Sequence, residues 1–487
     1  MNRRLVWLAL AVPLCACGGA EMPTSTSEPP AAPSVVVTAA RWEVPQPAAD
    51  AGERPFSRCS PFTTSQCRLF SQRTGPAVAV NARGQTVALW QRFEGDAYRL
   101  VGARLAAGGG WTEAERITPE SPVREQQVVV DRSGNAVALW WGSESAWTSY
   151  GAAAGGWSAP QAAEVSAQLV MDDAGTAHTL FTRWNEGLFW RRLPPGGSWS
   201  EPVLIQAQGP TSQPFIADQR LAVTRGGAAH AVWLRHFQSS VRSEEWDEVW
   251  TSRLTPGQGW SAPSTVARVS RAALFDTTLA AADAGALASY QVVEHLGGSR
   301  DAWRVLAQHA TGNGPWTAPE AVNEPLPPPP AVRNASSPVA AADAHGTLSL
   351  AWAEVTYAPS EPSRYEIRAR RFSAAGGAWE HAQLIESKQG YLHDLFDLHV
   401  AASAAGDAVV LWVEQDAFDF GHRLWASVFV PGVGWNAPQA LRDARLMSEP
   451  ALAMDGSGNA IVMWSEPEGD RTTIWSARLT AVSAPAR

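Results

Sequence analysis

Short runs in which apolar and polar positions alternate fill the chain from residue 76 onward, cut by Asp/Asn-x-x-Gly and Gly-Gly turns. Period-two alternation bounded in this way predicts strands in antiparallel succession. The runs also repeat. VAVNARGQTVALW, ending at Trp90, returns as VVVDRSGNAVALW ending at Trp140 and as LAMDGSGNAIVMW ending at Trp464. Anchored on the turn glycine, the repeat has eight copies, at Gly84, Gly134, Gly175, Gly227, Gly285, Gly346, Gly406 and Gly458. Six residues after that glycine stands Trp90, Trp140, Phe181, Trp233, Trp352, Trp412 or Trp464, whereas the fifth copy has Tyr290 five residues on. Each copy continues through a second alternating run, such as Val249 to Arg253, into a glycine-rich turn. A Trp-Ser-x-Pro or a variant of it follows, at Trp111, Trp157, Trp199, Trp260, Trp316, Trp379 and Trp435. Spacings of 41 to 61 residues fit four strands, a to d, of one propeller blade.

The last copy sharpens the prediction. Its third strand, Ile474 to Arg478, leaves no room for a Trp-x-x-Pro strand of its own, while Trp42-Glu43-Val44-Pro45 stands unpaired before the first copy. Residues 34–47 are therefore expected to supply the outer strand of the last blade, which removes two open sheet edges. Residues 48–75 are expected to form a loop, and 76–487 the repeats. The predicted fold is all-β, a single eight-bladed β-propeller of four-stranded antiparallel blades.

Composition then acquires a meaning. Of 487 residues 44 are aromatic, and 24 of these are tryptophan. The two repeated positions, with Trp42, account for 14 of the tryptophans. They read as packing between neighbouring sheets, each indole N–H bonding a carbonyl at the layer edge, rather than as a sugar-stacking array. The turn residues Asp131, Asp172, Asp343 and Asp455 sound like a calcium loop. A calcium ion needs six to eight converging oxygens, so they read instead as turns bonding their own backbone. A net charge of −9 with no basic run argues against nucleic acid as a partner. No metal-ligand pattern such as HExxH and no cofactor requirement is read from the sequence.

The N-terminus predicts export. Arg3 and Arg4 precede an apolar stretch, Leu5 to Ala16, too short to span a bilayer. It ends Leu14-Cys15-Ala16-Cys17-Gly18-Gly19, which resembles the bacterial lipobox. The resemblance implies cleavage after residue 16, acylation of Cys17 and a membrane anchor, with Gly18 favouring the outer membrane. Residues 17–33 read as a Pro/Ser/Thr-rich tether. In an exported chain Cys59 and Cys67, separated by seven residues, are expected to form a disulfide.

The turn before each Trp-Ser-x-Pro resembles a degraded Asp-box, the Ser-x-Asp-x-Gly-x-x-Trp hairpin of sialidase-like (BNR) propellers. Arg253-Leu254-Thr255-Pro256-Gly257-Gln258-Gly259-Trp260 keeps the glycine and tryptophan, with Arg253 for the serine and Thr255 for the aspartate. Arg104 and Ala106 depart in the same way before Trp111. The resemblance runs over residues 76–480 and implies the fold more than the activity. In architecture alone the chain also resembles the anchored propeller lipoprotein of the outer-membrane β-barrel assembly machinery.

Function is expected on the face formed by the b–c loops and d–a connections, where the long insertions fall. The candidate binding residues there are His236, Arg242, Trp246, Glu294, Arg300, Trp303, Tyr357, Arg364, Tyr391, His393, Asp419 and His422. The reading is a monomeric binding or scaffolding module for an envelope protein or glycan. The competing reading is a sialidase-like exo-glycoside hydrolase. That mechanism needs an arginine cluster, for which Arg124, Arg271, Arg333 and Arg445 are candidates. It also needs a tyrosine beside a glutamate, with Tyr357, Tyr365, Tyr391, Glu294 and Glu354 available. No Arg-Ile-Pro motif stands near the first blade, and no spacing couples a tyrosine to a glutamate.

Overall fold

A computed structural model describes residues 41–53, 75–94, 97–105, 109–118, 123–142, 145–164, 168–209, 214–238, 245–270, 272–297, 300–325, 327, 331–358, 361–373, 376–390, 394–415, 421–468 and 471–481. These form eight antiparallel sheets with no helix, an eight-bladed propeller. Cys17, Cys59, Cys67, the leader and the tether lie outside the described residues.

Strands a, b and c of blade 1 are Ala77–Val80, Thr86–Glu94 and Ala97–Leu105, and those of blade 2 are Arg124–Val130, Ala136–Trp141 and Ala146–Gly151. Blade 3 has Gln168–Met171, Ala177–Arg183 and Gly187–Leu193, and blade 4 has Phe215–Val223, Ala229–Phe237 and Trp246–Thr255. Blade 5 has Ala272–Ala282, Gly285–Gly297 and Arg300–Thr311, and blade 6 has Val332–Ala342, Thr347–Ala358 and Glu361–Ser373. Blade 7 has Asp394–Ala402, Ala408–Gln415 and His422–Val430, and blade 8 has Ala451–Met454, Ala460–Glu468 and Arg471–Thr480. Short outer strands complete each blade.

Blade 8 takes its outer strand from the N-terminus. Trp42 lies opposite Leu479, and Gln46–Glu53 continues along the same strand with Gln46 opposite Ser476. The paired segment runs to Glu53, past the expected end at residue 47. Closure in this way leaves no open edge at the joint.

The core is not one mass but eight apolar clusters among the described residues, one at each seam between neighbouring blades. Trp90, Trp233, Trp352, Trp412, Trp464, Tyr290 and Phe181 are among the largest fully buried side chains. The expected indole-to-carbonyl bonds do not account for them. Trp352 and Trp464 donate Nε1–H to the carboxylates of Glu354 (2.7 Å) and Glu466 (2.6 Å), two residues on along the strand. The indole nitrogens of Trp90, Trp233 and Trp412 have no hydrogen-bond partner among the described residues, so apolar contact holds those rings. The fifth copy departs because its a–b hairpin is tighter: Ala282 pairs directly with Gly285, and a Cβ on Gly285 would lie 2.4 Å from the Ala310 carbonyl oxygen.

Two motifs prove to be structural. In the a–b turns one Asp131 oxygen accepts the backbone N–H of Ser133 and Asn135 (both 2.8 Å). Asp343 and Asp455 bond their turns in the same way, which spends the carboxylates on backbone rather than on an ion. The arginine standing for the Asp-box serine crosses a seam. Arg104 donates to the Gly134 carbonyl at 2.5 Å and Arg253 to the Gly312 carbonyl at 3.0 Å, each in the next blade. Arg371 and Arg478 reach Gly406 and Gly109 likewise.

Candidate functional site

The predicted residues do not converge. His236 Nδ1 lies 2.8 Å from Asp247 Oδ1, while Asp247 Oδ2 accepts the Leu274 N–H of the next blade at 2.8 Å. That pair fastens a seam. Trp246 stacks on Phe237 at 5.3 Å and carries Arg268 over its ring at 4.5 Å, so it is engaged within its own blade. Glu294 pairs with Arg304 (3.2 Å) and Arg364 with Glu366 (3.8 Å). His422 is buried and accepts the Met447 N–H on Nδ1 at 3.1 Å, which makes it a satisfied structural histidine. It borders a cavity of about 680 Å³ in blade 7 with Glu414, Arg423 and Asp443. Trp303 and Tyr357 are exposed, at 38% and 45%. Arg242, Tyr391, His393 and Asp419 lie outside the described residues, as does the side chain of Arg300.

The sialidase ingredients are also dispersed. Arg333 is held by Glu324 at 3.0 Å, with Glu354 at 3.8 Å, and Tyr365 is buried. Glu354 is fully buried, and burial pushes its carboxyl above the usual range against the pull of Trp352, Arg368 and Arg333. The side chains of Arg124 and Arg271 are outside the described residues.

What recurs from blade to blade lies on strand a or just before it. In five blades strand a carries a bulge whose residue has positive φ without being glycine: Glu125 (49°), Asp218 (49°), Asp276 (50°), Ser337 (54°) and Asp397 (50°). The register against strand b shifts at each of these places. The bulge lets one strand residue break the alternation, and in blade 2 that residue, Glu125, lines a cavity. Blade 8 has Glu449 at the same place. Blade 1 has Gly75, where a Cβ would meet the Glu449 carbonyl oxygen at 2.3 Å. The signal was present in the sequence: each of these residues stands nine before its turn glycine.

Glu125, Gln126, Gln127, His399 and Glu449 line a cavity of about 430 Å³ at this mouth. Burial pushes the Glu449 carboxyl up to about 7, helped by the negative charges of Asp397 and Glu125. Burial likewise raises Asp276, with Asp218 adding and Arg220 opposing. Asp218 itself pairs with Arg220 at 2.7 Å. Burial holds His399 down to about 4, so its ring is neutral near pH 7. At the opposite mouth a cavity of about 240 Å³ is walled by turn residues, alanines prominent among them, and there Asp343 and Asp455 are bonded to their own turns.

Exposed aromatic rings share the carboxylate side. Trp184, in the b–c turn of blade 3, is 74% exposed, and Phe275, next to Asp276, is 47% exposed. With Trp303 and Tyr357 they are the exposed large aromatics of the described residues, and all belong to the b–c/d–a face. Trp184 is not among the residues the sequence singles out, because its turn is short and lies outside the long insertions.

No protein-family model matches the sequence, and no curated protein does. Among solved structures the chain is similar to the BP39L lectin of Burkholderia pseudomallei, with 14% identity and a TM-score of 0.41, covering 76% of this chain and 99% of the lectin. The polysaccharide lyase Uly1 gives 11% identity and a TM-score of 0.45 over 84% of this chain and 97% of the lyase. An α-L-arabinanase of Penicillium chrysogenum, complexed with arabinobiose, gives 9% and 0.34 over 90% of this chain and 98% of its own. At such identities and scores neither a ligand nor a reaction passes from those proteins to this chain.

Proposed function

We propose that this chain is an exported, lipid-anchored propeller of the bacterial envelope that binds an envelope glycan at its b–c/d–a face. One observation carries the reading: the exposed aromatics Trp184, Phe275, Trp303 and Tyr357 all stand on the face that holds the polar channel mouth. Flat rings beside a hydrated, polar concavity suit sugar rings, whose C–H faces stack while their hydroxyls bond. A protein interface would call for a contiguous apolar centre, and these rings are spread over three blades. The propeller would act as a monomer tethered by residues 17–33.

Glycan-array screening of the soluble propeller, followed by calorimetry on Trp184→Ala, Phe275→Ala and Tyr357→Ala, tests the binding. Each substitution is expected to weaken binding by roughly five- to tenfold, near 1 kcal/mol per lost stack. Unchanged affinity in all of them would overturn the reading. Anchoring is tested separately, by labelling with a fatty-acid probe that Cys17→Ser should abolish.

Glycoside hydrolysis is the second reading, and Glu449 favours it. A carboxyl pushed up to about 7 by burial and by the charges of Asp397 and Glu125 has the character of a general acid. A fluorogenic-glycoside screen with Glu449→Gln as control decides it. Turnover lost in that variant would establish hydrolysis.

A further inference from the structure

The chain enters the ring at a fixed point, on the face opposite the exposed aromatics. Strand c of blade 8 runs from Arg471, at its b–c end, to Thr480, at its c–d end. Arg41 lies opposite Thr480 and Trp42 opposite Leu479, whereas Glu53 lies opposite Arg471. The N-terminal strand therefore starts on the a–b/c–d face and climbs to the b–c/d–a face. Its start is held in place. Glu43 N–H donates to the Arg478 carbonyl at 2.7 Å, and Trp42 is 3% exposed in the seam between blades 7 and 8.

The two faces also differ in charge. Exposed at the tips of the a–b turns stand Arg83, Arg132 and Arg225, against Asp283. Asp173 pairs with Arg132 at 2.5 Å, and the other turn aspartates bond within their own turns. The c–d turns of blades 1 to 7 contain no charged residue, from AAGGG at 106–110 to PGVG at 431–434. The b–c/d–a half carries the bulge carboxylates Glu125, Asp218, Asp276 and Asp397 in the first half of strand a.

We infer that the propeller stands with its a–b/c–d face toward the bilayer that holds its anchor, so that the b–c/d–a face looks away from it. The inference rests on the anchoring and glycan readings and narrows the ligand. The bound glycan is one that stands off from the anchoring leaflet, not the headgroup sugar of a lipid within it. The 24 residues from Cys17 to Ala40, taken as a coil, span about 27 Å. A nine-residue strand such as Thr86–Glu94 gives the ring a height of about 30 Å. With the ring turned over, the tether must run that height along the outer wall before it meets the bilayer, which exceeds its mean span. Turning over also swaps exposed arginines for carboxylates at the membrane, and a leaflet with anionic lipid attracts the first and repels the second.

The test is energy transfer from the full acylated chain to vesicles of phosphatidylethanolamine with a minority of phosphatidylglycerol, which carry a headgroup-linked acceptor dye. A donor dye is coupled to an azido side chain in place of Val433, 62% exposed in the c–d turn of blade 7. In a second preparation it replaces Glu186, whose side chain is 59% exposed in the b–c turn of blade 3. Both sites are surface turns, so the ring keeps its packing. The donor at 433 is expected to lie nearer the bilayer by about 30 Å, the length of a strand, and to transfer several-fold more strongly. Equal transfer from the two sites would mean a ring that tumbles on its tether. That result would overturn the inference and leave anchoring and glycan binding standing, and so would stronger transfer from 186. Failure of the acylated chain to float with the vesicles would overturn the anchoring reading, and the inference with it.

Discussion

Glu449 offers the most direct physical test of the channel mouth, because its burial has a cost that pH controls. The groups facing it are Asp397 and Glu125, with His399 on the same cavity wall. Its folded value, about 7, lies above the ordinary 4.5. Between those values the folded chain holds a proton that the unfolded chain has released, so stability falls as pH rises through that window. At about 1.36 kcal/mol per unit the gap is worth about 3 kcal/mol, fully present below 4.5 and lost above 7. Glu449→Gln mimics the protonated acid at every pH. The variant should therefore match the natural protein in acid and exceed it by about 3 kcal/mol in mild alkali, which for a ring of this size is a rise of about 3 °C in melting temperature. Thermal melts of both proteins from about pH 5 to about pH 8.5 measure the difference directly. Melting curves that stay parallel across that range would refute the claim that Glu449 is buried among like charges.

Three further outcomes are expected. Trp42→Ala empties a seam between blades 7 and 8 and should cost about 3–5 kcal/mol in denaturant unfolding; a loss under about 1 kcal/mol would mean the N-terminal strand does not close the ring. Arg253→Ala removes a charge-assisted bond across the seam between blades 4 and 5 and should cost about 1.5–3 kcal/mol, whereas an unchanged midpoint would show the bond to be incidental. Asp455→Ala removes the acceptor for Ser457 and Asn459 and should cost about 1–2 kcal/mol, while calcium and a chelator leave the melting temperature of the natural protein unmoved; a calcium-dependent shift would restore the metal reading of these turns.

The repeat made most of the architecture readable. A blade is a local unit, and its turn glycine, its buried aromatic and its Trp-x-x-Pro each answer a need met within one blade or between two neighbours. The eight copies and the N-terminal completion of blade 8 follow from that periodicity alone, because strand pairing leaves no other place for Trp42. The site was read less well, and for a physical reason. His236, Trp246, Glu294 and His422 have the chemistry of ligand contacts, yet they serve as seam and strand fastenings, since polar groups near a seam find partners there first.

From sequence alone, then, came what short-range pattern can specify: strands, blades, their number and the segment that closes them. Tertiary structure decided which residues meet. Glu125, Asp397 and Glu449 are far apart along the chain, and each alone is an acid in or just before a strand. Only ring closure brings the three close enough to interact, with Glu125 and Glu449 on one cavity, where the burial of Glu449 and repulsion from the other two give it a property none of their sequence neighbourhoods contains.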